Sequence, residues 1–491
     1  MTSHIRHALA AAVLGAAMLA ALAASQGHAQ APLPTLVDPN LSVREVSPEL
    51  ALPIGIAFIG ASDLLVLEKD TGKVQRVTNG ALAGTVLDLA VNSASERGLL
   101  GIALHPQFAV NGFVYLYWSE STTGADSAEL ATVPLLGNRV DRFRWNGSTL
   151  TFDRNVIRLR AFQADAGQPL RANHDGGVLR FGPDGKLYIV VGDLGRRGQL
   201  QNLVNGPFGP GIDDDQFGGP EPDDAHLSGV ILRLNDDGTA PSDNPFFAAG
   251  ATMPGQVGAN VQKLFAYGLR NSFGMAFDPV SGTLWEQENG DDSFSELNIA
   301  EPGFNSGWVQ IMGPPERIAQ FKAIETDPTA PQPFAAGGYF GLQQIRWLPT
   351  NIANTPAEGL SRLFMLPGAH YSAPELSWKF EVAPGGIGFL SSRALGPQYR
   401  NDLFMGAARV FLEGGHLFHL NLTGNRRKIG VDDPRLEDRV ADNVNKWEIT
   451  ESESLLFGRN FGIVTDIQTG PNGNLFLVSL SNGVVYEIFR P

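Results

Sequence analysis

His174, in the run Arg171-Ala172-Asn173-His174-Asp175-Gly176-Gly177, and Asp193, in Gly192-Asp193-Leu194-Gly195-Arg196, are the residues of this chain best suited to chemistry. An imidazole accepts a proton near neutral pH, and a carboxylate hydrogen-bonded to the ring orients it and strengthens it as a base. Val178-Leu179-Arg180-Phe181 predicts a strand, Gly182-Pro183-Asp184-Gly185 a tight turn, and Lys186 to Val191 the returning strand. A hairpin brings its two outer ends together, so His174 and Asp193 are expected to be neighbours at its open end.

The hairpin is one of about six related units, each a glycine, an apolar strand, a Pro/Gly turn and a second apolar strand. They begin near Gly55-Ile56-Ala57-Phe58, Gly101-Ile102-Ala103-Leu104, Gly177-Val178-Leu179-Arg180, Gly274-Met275-Ala276-Phe277, Gly388-Phe389-Leu390 and Asp466-Ile467-Gln468. In four of them an alternating third strand follows, as in Lys73 to Val77, Arg139 to Phe143, His416 to Leu420 and Val484 to Ile488. Short strands repeated in this way predict an all-β, six-bladed β-propeller with long inter-strand loops, occupying residues 37–491 as one domain. The spacing of roughly 45 to 110 residues between units places long insertions on that frame, where function is expected to sit. Leu41 to Val46 is expected to share a blade with the strand near Val484, closing the ring and hiding strand edges. A pair of β-sandwiches is the rival architecture.

The composition fits such a fold: 57 Gly and 32 Pro break helices, and 43% hydrophobic residues supply a large core. With 36 Lys and Arg against 51 Asp and Glu, the net charge of −15 offers no basic stripe for nucleic acid. There is no cysteine, which excludes thiol chemistry and disulfides. Residues 1–29 have a basic start at Arg6, an apolar stretch from Ala8 to Ala24, and the small residues Gly27 and Ala29, the pattern of a secretory signal peptide. No other apolar run approaches the roughly 20 residues needed to cross a bilayer, so a periplasmic or secreted protein without a membrane span is expected after cleavage.

Four phrases then occur in order: Gly98-Leu99-Leu100-Gly101-Ile102-Ala103-Leu104-His105-Pro106, Asn173-His174-Asp175-Gly176-Gly177, Tyr267-Gly268-Leu269-Arg270-Asn271 and Gly303-Phe304-Asn305-Ser306-Gly307-Trp308. Together they resemble the soluble glucose/sorbosone dehydrogenase family, six-bladed propellers that oxidise aldoses at the anomeric carbon with pyrroloquinoline quinone (PQQ) and calcium. The resemblance implies His174 as the base for the sugar's C1 hydroxyl and Asp193 as its supporting acid. It implies Arg270 and Asn271 at the quinone, Glu96 facing the sugar, and Gln199 and Leu200 on a substrate-side loop. The main-chain carbonyls of Gly290 and Asp291 match calcium-holding positions at the cofactor, and Glu296 with the carbonyl of Asn305 match a second, structural calcium. A sugar substrate and an electron acceptor are the implied partners.

Departures from the family pattern fall where cations would face the cofactor. Glu413 stands at one such position, with Arg409 four residues earlier or Arg459 as the alternative cations, and Ile463 and Thr465 stand at others. PQQ carries three carboxylates, so each lost charge-assisted partner costs roughly 1.5–3 kcal/mol. Two other functions therefore stay open, a cofactor-free binding module and a calcium-dependent lactonase-like hydrolase. Bland readings stand beside the sharp ones. Arg270 could brace a blade, and His105 precedes a proline at a strand end and reads as structural. His226, His370, His416 and His419 lack metal spacing. Among the tryptophans, Trp378 is placed in the loop ahead of the fifth unit, where it would line the substrate pocket. The acidic stretch Ile212 to Asp224 reads as a solvated loop, and Glu316 to Pro333 as a Pro-rich insertion without further signal.

Overall fold

The computed structural model describes residues 33–47, 50–162, 172–195, 227–253, 255–308, 310–326, 352–407 and 414–491. The signal-peptide region, Gln199, Leu200, the 212–224 loop, His226, Arg409 and Glu413 lie outside these residues. The fold is an all-β propeller. Its strands form six sheets of four to six strands and one two-stranded ribbon.

Each unit foreseen in the sequence opens a different sheet. The opening strands are Pro53–Gly60, Leu99–Leu104, Leu179–Phe181, Gly274–Phe277, Pro384–Phe389 and Val464–Thr469, and each lies at the end of its sheet. These six strands contact one another in chain order, and the last contacts the first, so they line a closed ring. Ser42–Ser47 pairs antiparallel with Val484–Phe489, closing the ring with strands from opposite ends of the chain as expected.

Leu187–Val191 and Val230–Leu234 are buried at every residue, which explains why their sequences read as unbroken apolar runs and not as alternating ones. Their side chains join Leu179, Tyr117 and Tyr267 in a core cluster spanning neighbouring sheets. The ring is tight here. A Cβ on Gly101 would lie 1.9 Å from the Gly177 carbonyl oxygen, and Gly177 itself has φ +110°, so only glycines let these two sheets meet.

The insertions hold structure that the sequence pattern did not announce. Glu316 to Pro333 was expected to be featureless, yet Ile318–Thr326 is an α-helix that buries Ile318, Phe321 and Glu325. Phe304–Asn305 and His370–Tyr371 add to the third sheet in parallel, and Val440–Ala441 adds in parallel to the fourth. Trp378 is on the strand Leu376–Phe380 of that fourth sheet and not in a loop.

Topology alone collects the candidate residues at one rim. Glu96, His174 and Asn271 each precede an opening strand, while Asp193 and the 289–292 turn each follow a second strand. In an antiparallel hairpin the start of the first strand and the end of the second lie together.

Candidate active site

The hairpin meets its expectation: His174 Nδ1 lies 2.5 Å from Asp193 Oδ1. Asp193 is fully buried. Burial opposes its ionisation, but the His174 ring, the Arg270 guanidinium and the Trp308 indole together hold its carboxyl down at about 2. An ionised carboxylate can only accept, so the shared proton resides on Nδ1, and Nε2 is the ring nitrogen whose lone pair is left for another proton. The backbone N–H of Gly195 donates to Oδ1 at 2.8 Å and Trp308 Nε1 donates to Oδ2 at 2.9 Å, so both carboxylate oxygens are held. His174 has φ +61°, an uncommon conformation for a residue other than glycine and one that clusters at functional sites.

Glu96 ties this base to the next sheet. Its Oε2 accepts the backbone N–H of His174 at 2.8 Å and the Asn271 side-chain amide at 3.2 Å. Asn173 reaches Glu96 Oε1 at 3.4 Å. Beside it, the Arg270 carbonyl accepts the Asp193 backbone N–H at 2.8 Å, and the Arg270 N–H donates to Glu288. Gly192 makes this convergence possible, because a Cβ there would fall 2.4 Å from the His174 carbonyl oxygen and 2.9 Å from that of Arg270.

The Arg270 guanidinium donates to the Asn289 carbonyl at 2.9 Å and to Asp291 Oδ1 at 2.8 Å, over the face of Trp308. It thus braces the 289–291 turn and also carries positive charge at the rim. Asn271 keeps a different feature: its Oδ1 is buried and, among the described residues, has no hydrogen-bond partner. An orphaned acceptor next to Glu96 and the histidine fits a bound polar group that brings an N–H or O–H donor. The ring N–H of a quinone such as PQQ is of that kind.

The same test goes against calcium at two of the expected positions, the Asp291 carbonyl and the Glu296 carboxylate. The Asp291 carbonyl oxygen accepts the Lys446 ammonium at 3.2 Å, so it already faces a cation. Glu296 Oε2 accepts the Asn298 amide at 2.9 Å and Oε1 accepts the Gly313 N–H. Among the described residues no group of three or more His, Asp or Glu is arranged to hold a metal. The Asp291 carbonyl and the Glu296 carboxylate are thus engaged by protein donors, while the main-chain carbonyls of Gly290 and Asn305 are assigned to a metal by the resemblance alone.

Glu286, Glu288 and Glu296 lie together on paired strands, fully buried. Burial pushes Glu286 up to about 8 and Glu296 up to about 7, with repulsion from Glu296 adding to the effect at Glu286. A raised folded-state value means that the native protein holds protons the unfolded chain releases. Stability then falls as pH rises from the ordinary carboxylate range of 4.5 toward these values. Replacing Glu286 by Gln is expected to raise unfolding free energy by about 1–2 kcal/mol at pH 8 and to change it little at pH 5. Urea unfolding at the two pH values checks this; an equal effect at both would show that Glu286 is ionised throughout.

Other expectations are corrected. Trp378 has no exposed surface, donates its indole N–H to Ser452 at 3.0 Å and packs near Phe418, so it belongs to the core and not to a substrate pocket. His105 is structural as expected, accepting from Gln107 and lying against Phe113 and Phe181. Ile463 and Thr465 sit at the start of the sixth opening strand and bring no charge to the rim. Sequence reasoning missed Trp308 as the donor to Asp193, although a buried indole N–H must find an acceptor. It also missed Glu325, whose Oε1 accepts the Asp292 and Ser293 backbone N–H groups at 2.8 and 3.0 Å, and Lys446. Nothing in their local sequence marks them.

The chain is similar in sequence and fold to known proteins. It is 26% identical over 386 residues to the aldose sugar dehydrogenase YliI of Escherichia coli, covering 78% of this chain and 74% of that protein. It is 30% identical over 279 residues to quinoprotein glucose dehydrogenase B of Acinetobacter calcoaceticus, covering 56% of this chain but only 53% of that protein's length. The PQQ-bound structure of an aldose sugar dehydrogenase from Streptomyces coelicolor covers 93% of this chain and 99% of its own, at 22% identity and a TM-score of 0.54, a likeness of fold. The first four units and the whole His174–Asp193–Arg270 cluster fall within residues 50–335, which match the Glucose / Sorbosone dehydrogenase family, and the chain belongs to that family.

Proposed function

We propose that this chain is an exported, PQQ-dependent dehydrogenase, built on six propeller blades, that oxidises an aldose or related alcohol at C1. The observation that carries the reading is the His174–Asp193 pair, in which an ionised, buried carboxylate fixes the ring so that Nε2 holds the lone pair. His174 Nε2 takes the proton of the C1 hydroxyl. Asp193 stabilises the imidazolium that results, and Trp308 and Gly195 keep the carboxylate from turning away. Glu96 fixes the histidine backbone and the Asn271 amide with one oxygen, so base and cofactor-side residue move as a unit. Asn271 and Arg270 would hold the quinone, joined by Arg409 from outside the described residues. When bound, the quinone supplies the two-electron acceptor for the C1 hydride, and an external electron acceptor then regenerates it.

The test is to add PQQ to the purified protein and follow dye reduction with a panel of aldoses. Sugar-dependent reduction together with saturable quinone binding is expected; neither one appearing would end the reading. The neutral Ile463 and Thr465 favour a second reading, a propeller that binds carbohydrate without the quinone. Sugar binding by calorimetry in a protein that takes up no PQQ would favour it.

A further inference from the structure

The turn that follows the second strand of the fourth sheet, residues 289–292, is held by two cationic side chains, Arg270 and Lys446. Arg270 takes the Asn289 carbonyl and the Asp291 carboxylate. Lys446 takes the Asp291 carbonyl at 3.2 Å and the Asp292 carboxylate at 2.5 Å. The lysine and aspartate side chains of that second pair are 8% and 1% exposed, so this is an interior ion pair and not a surface one.

The lysine is delivered by a loop that is itself bolted in place. Asn443 is fully buried; its Oδ1 accepts the Phe380 N–H at 2.8 Å, and its amide donates to the carbonyls of Phe380 and Glu448 at 3.0 and 2.9 Å. The Trp447 N–H donates to the Glu381 carbonyl at 2.8 Å, and the Glu381 N–H reaches back to the Asp292 carbonyl at 3.3 Å. These five bonds to backbone groups set the position of Lys446 relative to the turn before its own ammonium makes any contact. A compact ammonium on a flexible stem suits such a pocket because it presents one concentrated charge and three donors.

A calcium ion needs six to eight oxygens at about 2.3–2.6 Å. At the Asp291 carbonyl it would compete with the ammonium for the same lone pairs and be repelled by it, with Arg270 close by as a second positive charge. We propose that the Lys446 ammonium is the resident cation of the 289–292 turn, standing in place of a divalent metal at the Asp291 carbonyl, so that this corner of the site works without calcium. The inference deepens the quinone reading and rests on it only for what the turn serves; the cation itself is tested on the protein alone.

The experiment is calcium titration of EDTA-treated protein by calorimetry and by thermal melting, on the wild type, Lys446→Met, Lys446→Arg and Asp292→Asn. The wild type is expected to take up no calcium at this turn and to melt at the same temperature in EDTA and in millimolar calcium. Lys446→Met is expected to melt about 5 °C or more lower in EDTA and to recover with calcium, which can then approach the Asp292 carboxylate and the Asp291 carbonyl that the ammonium has left. Lys446→Arg, which keeps a cation, is expected to show no calcium response. Calcium uptake by the wild type that Asp292→Asn abolishes would overturn the proposal. So would a loss in Lys446→Met that calcium does not repair, because the lysine would then be an ordinary ion-pair partner. If Lys446→Met fails to fold, the wild type and Lys446→Arg still decide the matter. PQQ titration of the wild type in EDTA separates the two readings: failure to bind quinone with or without calcium counts against the proposed function and leaves the calcium result as it stands.

Discussion

Replacing His174 by Asn is expected to lower the turnover of an aldose by about 10²–10⁴-fold while PQQ binding stays within a few-fold of wild type. The size of the loss follows from what His174 supplies. A positioned base removes the hydroxyl proton as charge develops on the substrate, and neither amide atom of asparagine can take that proton at neutral pH. Asparagine is the better variant because His174 sits at φ +61°, a conformation that asparagine tolerates and alanine resists. His174→Ala is therefore expected to share the kinetic defect and to melt lower, by about 1 kcal/mol of backbone cost. The hydrogen bond from the residue-174 backbone N–H to Glu96 survives both changes, so the loop keeps its anchor. Steady-state kinetics alongside quinone titration separates the two effects. Activity retained in His174→Asn would remove the histidine from the reaction.

Much of this site was legible because its parts obey local rules. The hairpin could be read from an apolar run, a Gly-Pro-Asp-Gly turn and a second apolar run, and that pattern by itself predicts the contact between His174 and Asp193. The ring could be read because each opening strand carries the same signature, and its closure because Leu41 to Val46 resembles a strand that needs a partner. What escaped came from the insertions. Glu325 lies on a helix in a stretch where proline and polar residues hide the period, and it reaches the 292–293 backbone across more than thirty residues of chain. Lys446 meets Asp291 from the loop that follows Val440–Ala441, with no spacing rule to link them. Trp378 was misplaced for the converse reason. Its flanking residues Ser377 and Lys379 look like loop, but cross-strand pairing with Ser295 and Val440–Ala441 on its other side turn it inward. Calcium ligands were inferred by position from main-chain carbonyls, and a sequence does not reveal that a lysine ammonium already occupies one of them.

Asp193→Asn is expected to cost about 10²–10⁴ in turnover and, separately, to change how stability depends on pH. The kinetic loss comes from the tautomer. Asp193 Oδ1 accepts from His174 Nδ1 and Gly195 N–H, and Oδ2 accepts from the Trp308 indole, so each of these three contacts is with a donor or a ring nitrogen. An amide has one NH₂ to place. Facing His174, it donates to Nδ1, drives the ring proton to Nε2 and removes the lone pair that would take the substrate's proton, while also opposing the Gly195 N–H. Facing Trp308, it sets two donors against each other in the interior, which costs about 1–3 kcal/mol. The pH effect has a definite sign. The folded-state value of about 2 lies below the ordinary 3.8, so the carboxylate contributes stability that is fully present above pH 4 and is lost as pH falls through about 2. The contribution is about 2 kcal/mol, set by burial acting against ionisation and by the imidazole, guanidinium and indole outweighing it. Wild type and Asp193→Asn are thus expected to differ most in urea unfolding near neutral pH and to converge as pH drops from 4 toward 2. A difference that does not shrink over that interval would mean that Asp193 is protonated in the native state, and the base would then lack the charge that orients it. The double variant His174→Asn, Asp193→Asn distinguishes shared from separate roles. If the two residues act as one unit, its turnover should fall no further than that of the worse single variant, because a carboxylate that works only through the imidazole has nothing left to assist.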